Sequence, residues 1–158
     1  MAIRSAAKAA VVRDGRILLQ HCYAPSRGDY YDLPGGGQQP YESLMDTVIR
    51  ECLEETGYTV VVDRFLALAE EIVETEAFRE RYPDYAHRVI HVFLCRLADV
   101  PQGEPTEKDY DQVDLEWVEL SRLPEIQLIP VSLRGALPEL LAGGAPRFVG
   151  TDRYAGMR

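Results

Sequence analysis

Apolar residues are concentrated in two adjacent segments near the beginning of the chain. The first, Arg4 to Arg13, predicts a β-strand with Ala9 and Val11 among its buried residues. Asp14-Gly15 follows and is a strong signal for a two-residue hairpin turn. Arg16 to Cys22 is again apolar and predicts a second strand, so this region is expected to form a β-hairpin.

The clearest helical pattern lies further along, from about Glu42 or Ser43 to Thr56, with no internal proline or glycine. Gly57 is placed to act as the left-handed C-cap of this helix. Apolar residues recur at helical spacing and are expected to pack against a sheet. These residues are Met45, Val48, Ile49, Cys52 and Leu53.

Apolar segments alternate with polar ones in the rest of the chain. The pattern predicts β-strands over Thr59 to Ala69, Val89 to Leu97 and Leu115 to Leu120. Ser132 to Ala142 predicts a short helix that packs on the sheet, and Pro146 to Arg158 predicts an extended tail or a short edge strand. Strands on both sides of a central helix, followed by a terminal helix, indicate a layered α/β architecture.

Glutamates at positions i, i+3 and i+4 of the central helix are expected to share a second face. They are Glu51, Glu54 and Glu55. Two carboxylates about 4 Å apart repel by ~4 kcal/mol at an effective dielectric constant of about 20. One interpretation is a solvated helix face. The other is a site for a hard divalent cation such as Mg²⁺, which binds carboxylate oxygens and turns the repulsion into attraction.

Pro34 and a run of glycines, Gly35 to Gly37, precede this helix. Without a Cβ atom, the backbone can adopt a positive φ angle and come close to a ligand. Glycine-rich backbone beside a carboxylate-bound Mg²⁺ suits a phosphate-containing substrate.

The spacing from Gly36 to Tyr58 resembles the signature of the Nudix hydrolase family, G-x5-E-x7-R-E-U-x-E-E-x-G-U, where U is usually aliphatic. Every fixed glycine and polar position of that signature is present. The departures are mild, because Cys52 and Tyr58 occupy positions that usually hold an aliphatic residue. Gln39 and Tyr41 stand where many relatives have Glu and Gly.

The resemblance implies the Nudix fold, a mixed β-sheet sandwiched between α-helices. It also implies metal-dependent hydrolysis of a nucleoside diphosphate linked to another moiety, X. In the implied site, Glu51, Glu54 and Glu55 bind Mg²⁺ or Mn²⁺, with the Gly35 carbonyl as a further ligand. A water activated by the metal attacks phosphorus, and Glu51 or Glu54 accepts its proton.

The remaining signature positions have implied roles around that site. Arg50 belongs to the catalytic set, because it is expected to orient a signature carboxylate by a charge-assisted hydrogen bond. Glu42 is expected beside it. Gly36 and Gly37 are expected to contact the substrate.

The acidic loop from Pro101 to Asp114 is a second source of carboxylates. A calcium-binding EF-hand is excluded, because the loop has neither the central glycine nor the distal glutamate at the required spacing. In Nudix enzymes, an acidic residue shortly before a Trp-Val strand often reaches the metal site. Asp111, which precedes Trp117, is the best match for that ligand, with Asp109 and Asp114 as alternatives.

Two further segments are candidates for contacts with the substrate. Ala24 to Asp32 is a polar loop in which Tyr30 and Tyr31 either stack on a base or pack against the sheet edge. Glu70 to Arg88 is charged and aromatic. It is either a solvated excursion between strands or a loop for substrate or dimer contacts, in which an arginine such as Arg88 meets phosphate.

Composition limits the classes of partner. The chain has 158 residues, is 46% hydrophobic and 27% charged, and has a net charge of −9. Such a chain is expected to form one domain, residues 1–158, with a sizeable core. Its negative charge argues against non-specific binding to duplex nucleic acid or to anionic membranes. A small anionic substrate stays compatible, because a bound metal reverses the local charge.

The cysteines indicate the cellular compartment. Cys22, Cys52 and Cys95 lie in apolar segments and form no C-x-x-C motif, so free thiols in a reducing cytoplasm are expected. The beginning of the chain is too short and too charged for a signal peptide. No stretch approaches the roughly 18 apolar residues of a transmembrane helix.

The substrate itself is not encoded in the signature. Some Nudix subfamilies carry a proline or a tyrosine at a set distance after it, but Val73 to Glu76 reads VETE and has neither. This weakens an assignment to ADP-ribose or dinucleoside polyphosphate hydrolysis and leaves modified nucleotides equally open. The alternative function is a Nudix-fold module that senses or binds a nucleotide without turnover, against which the intact glutamates argue. Family habit implies a homodimer.

Overall fold

The computed structural model describes residues 2–155 of the chain. The strands within these residues are β1 (Arg4–Arg13), β2 (Arg16–Ala24), β3 (Gly28–Asp32), β4 (Gly35–Gly37), β5 (Val60–Val73), β6 (His87–Leu97), β7 (Gln112–Glu119), β8 (Leu128–Ile129) and β9 (Arg147–Tyr154). The α-helices are α1 (Leu44–Thr56), α2 (Glu76–Arg81) and α3 (Val131–Leu141), and short 3-10 helices occupy Pro83–Tyr85 and Leu120–Glu125.

The strands form one mixed sheet in the order β8-β3-β2-β1-β6-β5-β9. β4 pairs with β1, and β7 pairs with β2, off this path. The pairs β1–β6, β3–β8 and β5–β9 are parallel, whereas the other pairs are antiparallel. The predicted mixed sheet is therefore confirmed.

The sheet curls from the predicted hairpin. Asp14 and Gly15 have φ angles of 51° and 73°, so both adopt the positive φ that a two-residue hairpin turn favours. Among the described residues, β1 and β2 pair only next to this turn, through Val12–Ile17 and Arg13–Arg16. Beyond it, β1 continues with β4 and β6, and β2 continues with β3 and β7. The divergence leaves a free side of β1, and the glycines of β4 occupy it.

Helices cover both faces of the sheet. On one face, Val48 and Cys52 of α1 are fully buried against β1 and Phe93 of β6. On the other face, Leu133 and Leu137 of α3 pack in the larger apolar cluster. Burying each such leucine contributes about 1.5–3 kcal/mol. The predicted α/β sandwich is confirmed, and α1 is held by one face only.

That face differs from the apolar stripe predicted for the helix. Met45 and Leu53 are 56% and 43% exposed, so their predicted burial is wrong. Thr47, Glu55 and Thr56 are buried instead. Polar residues can occupy this face because they have partners there; the Thr56 hydroxyl, for example, donates to the Cys52 carbonyl at 2.6 Å.

The predicted element bounds hold best where local signals are strong. Ser43 caps α1, with its hydroxyl accepting from Asp46 N, and Gly57 ends it with a φ angle of 74°. The loop predicted over Ala24 to Asp32 is wrong in part, because β3 forms there by pairing with β2 and β8. β7 begins at Gln112, before the predicted strand at Leu115.

The end of the chain forms an edge strand, one of the two predicted alternatives. β9 pairs in parallel with β5. The predicted segment continues over Gly156 to Arg158, which lies outside the described residues.

The segment Glu70 to Arg88 contains regular secondary structure, and both of its predicted roles stay open. β5 continues through its first residues, α2 and a 3-10 helix follow, and β6 begins at His87. Phe78 of α2 packs with Val73 and Ala86 in a small apolar cluster.

Two expectations about the whole chain can be compared with the structure. The three cysteines are free and buried, as predicted. None of the helices formed by residues 2–155 is long and apolar enough to cross a membrane.

Candidate active site

Glycine is required in β4 because this strand runs against both β1 and α1. Gly35 has a φ angle of 144°, and a Cβ atom there would collide with the Ala7 carbonyl of β1. A Cβ atom on Gly36 would lie 2.5 Å from the Glu51 carboxylate. The glycines therefore let the backbone reach the helix carboxylates. The predicted substrate contacts of Gly36 and Gly37 stay predictions.

Arg50 is the centre of a hydrogen-bond network on the exposed side of α1. Its Nη1 donates to Glu51 Oε1 at 2.8 Å and to Glu54 Oε2 at 3.1 Å. Its Nε and Nη2 donate to the two oxygens of Glu42 at 2.7 and 3.0 Å. Nη2 also donates to the Gly37 carbonyl at 3.1 Å, which ties β4 to the helix. Arg50 thus contacts three signature carboxylates at once.

Glu42 anchors Arg50 rather than facing the cleft. Hydrogen bonds from Arg50, Gln39 N and the Thr47 hydroxyl lower the pKa of Glu42 to about 2, the first of these being the largest cause. Glu42 therefore stays ionised, and it fixes the guanidinium against the helix.

Three carboxylates come together beside this network. One oxygen each from Glu51, Glu54 and Glu107 lies within 4.8 Å of the others. Burial raises the pKa of Glu51 above its ordinary value, although Arg50 opposes the shift. We refer to Glu51, Glu54 and Glu107 as the carboxylate cluster.

Glu107 was not among the residues predicted from the sequence. It comes from the acidic loop, which is attached to the C-terminus of α1 by backbone hydrogen bonds. The Glu54 carbonyl accepts from Thr106 N at 2.7 Å and from Glu107 N at 2.9 Å, and the Gly57 carbonyl accepts from Gly103 N at 2.8 Å. Carbonyls at the end of a helix have no N–H donor within that helix, and here the loop amides donate to them. No local sequence pattern marks Glu107, although the acidic character of its loop was a general signal.

Glu55 is not a member of the carboxylate cluster and is only 5% exposed. Its Oε2 accepts hydrogen bonds from Gln20 Nε2 and from Gly35 N, both at 2.8 Å. Burial raises the pKa of Glu55 to about 8. Glu55 is thus held by β2 and β4, whereas Glu51 and Glu54 are held by Arg50. The predicted metal-ligand roles of Glu55 and of the Gly35 carbonyl stay predictions.

Asp111, the predicted loop ligand, lies outside the carboxylate cluster. Its Oδ2 accepts from the Tyr30 hydroxyl at 2.7 Å, and its carbonyl accepts from Tyr23 N at 2.9 Å. These contacts fix Asp111 against β2 and β3, so the structure brings Glu107 rather than Asp111 to the helix glutamates. A ligand role for Asp111 stays a prediction.

The tyrosines proposed to stack on a base are engaged with protein. Tyr30 is buried, and its hydroxyl is occupied by Asp111, so the packing alternative describes this residue. The Tyr31 ring stacks on His21, with 5.0 Å between centroids and 16° between planes. Tyr31 also donates to Glu116 at 3.3 Å.

Buried ion pairs, which the sequence did not reveal, connect residues of different strands. Lys8 Nζ is 2.7 Å from Asp32 Oδ2 and donates to the Leu33 carbonyl at 3.1 Å. Arg88 forms an ion pair with Glu71, its direct cross-strand neighbour. We refer to Lys8–Asp32 and Arg88–Glu71 as the buried pairs. The predicted role of Arg88 in binding phosphate is not supported, because its guanidinium is buried against Glu71.

The donor set of the carboxylate cluster fits a hard divalent cation. Carboxylate oxygens are the protein ligands that Mg²⁺ and Mn²⁺ prefer. A cavity of about 350 Å³ adjoins the cluster and is lined by Glu55, Glu107, Lys108, Gln112 and neighbouring residues. A cavity of about 480 Å³ lies at the hairpin, between Arg13, Arg16 and Trp117, and contains none of these carboxylates.

Comparisons with known proteins give a consistent result. A putative 8-oxo-dGTP diphosphatase from Bacillus subtilis (strain 168) is 28% identical over 94 residues, which make up 60% of this chain and 53% of that protein. The match thus spans about half the length of this curated relative.

Solved structures resemble the chain over most of its length. A MutT NUDIX hydrolase from Burkholderia pseudomallei is 31% identical, with a TM-score of 0.55, over 77% of this chain and 86% of that chain. A NUDIX hydrolase from Nitrosomonas europaea has a TM-score of 0.68 over 90% of each chain, and its 17% identity supports the fold alone. The model of the NUDIX domain matches residues 3–140, most of the chain, and the chain therefore belongs to the NUDIX family.

Proposed function

We propose that this protein is a Mg²⁺- or Mn²⁺-dependent pyrophosphohydrolase. Its substrate would be a nucleoside diphosphate linked to another moiety, X, such as a nucleotide, a modified nucleotide or an NDP-sugar. The observation that carries the proposal is the carboxylate cluster, with its oxygens within 4.8 Å of one another beside a glycine-lined strand. Membership of the NUDIX family supports the same chemistry.

Each group near the cluster has a part in this proposal. Glu51 and Glu54 would hold the metal from α1, and Glu107 would hold it from the loop. When bound, Mg²⁺ polarises pyrophosphate oxygens and lowers the pKa of a bound water. A cluster carboxylate, Glu51 or Glu54, would accept the proton of the water that attacks phosphorus. Arg50 would keep both carboxylates in place, as its hydrogen bonds to them indicate.

The groups around the site leave room for the two parts of the substrate. The glycines of β4 provide backbone without side-chain bulk next to Glu51, as a charged pyrophosphate requires. The 350 Å³ cavity beyond Glu107 would receive part of X. The named activity of the Bacillus subtilis relative supports modified nucleoside triphosphates as the first compounds to test.

Three further features belong to the proposal. One domain spanning residues 1–158 is expected, and the NUDIX match covers most of it. A reducing cytoplasm is supported by three free, buried thiols. A homodimer is expected from the habit of the family alone.

A substrate screen tests the proposal. The purified protein would be incubated with nucleoside triphosphates, 8-oxo-dGTP, NDP-sugars, dinucleoside polyphosphates and coenzyme A, with phosphate release and mass spectrometry as readouts. We expect cleavage at a phosphoric anhydride in Mg²⁺ or Mn²⁺ and its loss with EDTA. Full turnover in excess EDTA would contradict the metal dependence. Nucleotide binding without cleavage of any compound would favour the sensing module.

A further inference from the structure

Gln20 of β2 is a polar side chain at a buried position among apolar residues. It is 0% exposed, and its neighbours in sequence, Leu18 and Leu19, are buried apolar residues. The signature does not include it. Its Nε2 donates to Glu55 Oε2 at 2.8 Å, which connects the centre of the sheet to the signature helix.

The two hydrogen bonds to Glu55 converge on a single oxygen. Gly35 N donates to Oε2 at 2.8 Å, as does Gln20 Nε2. Among the described residues, none donates a hydrogen bond to Oε1 of the same carboxylate. Glu55 also lines the 350 Å³ cavity next to Glu107. The carboxylate is thus fixed through Oε2, and Oε1 is available to bind a ligand.

The amide of Gln20 is not explained by packing. Its Oε1 is buried and has no hydrogen-bond partner among residues 2–155. A buried acceptor without a partner destabilises a protein, and an apolar side chain of the same length would avoid that cost. The favourable contact that the amide makes is the one with Glu55.

We infer that Gln20 is a positioning residue, which holds Glu55 by Oε2 so that Oε1 faces the metal and substrate cleft. The inference rests on the proposed function and adds to it a residue outside the signature. Gln20 acts through Glu55 and touches neither substrate nor metal. The Gly35 amide provides the second hydrogen bond, so the glycine run and β2 together set the direction of this carboxylate.

The test compares Gln20→Met with Leu18→Met, a matched change at a buried position of the same strand. Mn²⁺ binding to the full-length, substrate-free protein would be measured by electron paramagnetic resonance, and the melting temperature by calorimetry. We expect Q20M to raise the Mn²⁺ dissociation constant about tenfold, the lower end for loss of a residue that supports a ligand. Its melting temperature should stay equal or rise, because the unpaired acceptor is removed. L18M should leave Mn²⁺ binding unchanged.

A double-mutant cycle separates positioning from a purely structural role. In the Glu55→Gln background, Q20M should have no further effect on Mn²⁺ binding, because the group that it positions is gone. Equal effects of Q20M in both backgrounds would overturn the inference. If Q20M does not fold, Gln20→Leu makes the same comparison.

A crystal structure of metal-free Q20M keeps this test independent of the proposed function. We expect the Glu55 carboxylate to leave the position seen here. An unmoved carboxylate would overturn the inference even if the enzyme is fully active. A wild-type protein that binds no Mn²⁺ and cleaves no compound would refute the proposed function, and the Glu55 position in Q20M would still decide whether Gln20 positions it.

Discussion

The carboxylate cluster and the buried pairs contain similar charged side chains in different proportions. On α1, carboxylates outnumber the guanidinium of Arg50, which already makes hydrogen bonds to Glu42, Glu51 and Glu54. Glu107 adds another negative charge.

In the buried pairs, each cation faces one carboxylate partner. Lys8 meets Asp32, and Arg88 meets Glu71. Burial alone would lower the pKa of Lys8, but Asp32 and other carboxylates, including Glu55, raise it above its ordinary value. These pairs are close to neutral, as burial away from water requires.

The difference in charge balance distinguishes ion pairs that stabilise the fold from carboxylates that are available to bind a cation. A balanced pair needs nothing more, and breaking it leaves an isolated buried charge. An unbalanced cluster at a cleft costs repulsion in the folded protein and is relieved by a cation from solution. We expect substitutions in the cluster to reduce activity at little cost in stability, and substitutions in the buried pairs to do the reverse.

The largest effect is expected for Glu54→Gln. The change keeps the size of the side chain and removes a ligand or base, so kcat should fall on the order of 10²- to 10⁴-fold. The melting temperature should stay equal or rise, because repulsion with Glu51 and Glu107 is relieved. Steady-state kinetics on the best substrate and calorimetry provide the measurements, with exposed Glu119→Gln of β7 as the control. Turnover within about twofold of the wild type would remove Glu54 from the site.

Next in size is the loss of stability on breaking a buried pair. Arg88→Met removes the guanidinium that faces the buried Glu71 carboxylate, so the free energy of unfolding should fall by about 3–5 kcal/mol. The double variant Arg88→Met/Glu71→Leu should recover much of that loss. Urea denaturation of both variants measures this. A single variant as stable as the wild type would show that Arg88–Glu71 does not hold β5 to β6.

A smaller effect distinguishes Glu107 from Asp111 within the acidic loop. Glu107→Gln should lower kcat/KM and weaken Mn²⁺ binding, each by about 10- to 100-fold. Asp111→Asn keeps an oxygen for the Tyr30 hydroxyl and should cost less than Glu107→Gln in both measurements. If Asp111→Asn is the more damaging change, the loop must rearrange when substrate binds, and the sequence-based choice of Asp111 is correct.

The smallest effect is a pH-dependent contribution from His21, which lies between Asp29 and Glu116 at 2.8 and 2.9 Å. Burial alone would lower the pKa of His21, but both carboxylates raise it above 6.5. A group whose pKa is raised in the folded state stabilises the protein at pH values below its unfolded-state pKa. This contribution is lost as the pH rises through the folded-state pKa.

His21→Gln should therefore lower the free energy of unfolding by up to about 1 kcal/mol more at acidic than at alkaline pH. Urea denaturation at about pH 5 and about pH 9 measures the difference. An equal loss at both values would show that His21 contributes through its stacking on Tyr31 and not through charge.

The features that sequence alone could predict are those set by neighbours along the chain. The bounds of α1 follow from the Ser43 cap and from Gly57, and the proximity of Glu51 to Glu54 follows from helical spacing. Arg50 reaches both glutamates because it lies within one turn of each. These contacts need no knowledge of the sheet.

Features set by distant parts of the chain could not be predicted in this way. Glu107 reaches α1 because its loop binds the end of the helix, and Glu55 turns inward because Gln20 of β2 is there to meet it. Arg88 lies in a charged segment and is of a residue type that binds phosphate. Strand register, however, places it opposite Glu71. Each case depends on pairing between segments that no periodicity reveals.

The attachment of the acidic loop to the end of α1 has a consequence for motion. The Glu54 carbonyl receives the amides of Thr106 and Glu107, so Glu107 is coupled to the helix that carries the other members of its cluster. Opening this part of the loop would break both hydrogen bonds to the Glu54 carbonyl, so the two amides are protected from exchange while the loop stays closed. Metal and substrate would therefore meet a cleft assembled before they arrive. Hydrogen exchange at Thr106 and Glu107 should be as slow as in the last turn of α1.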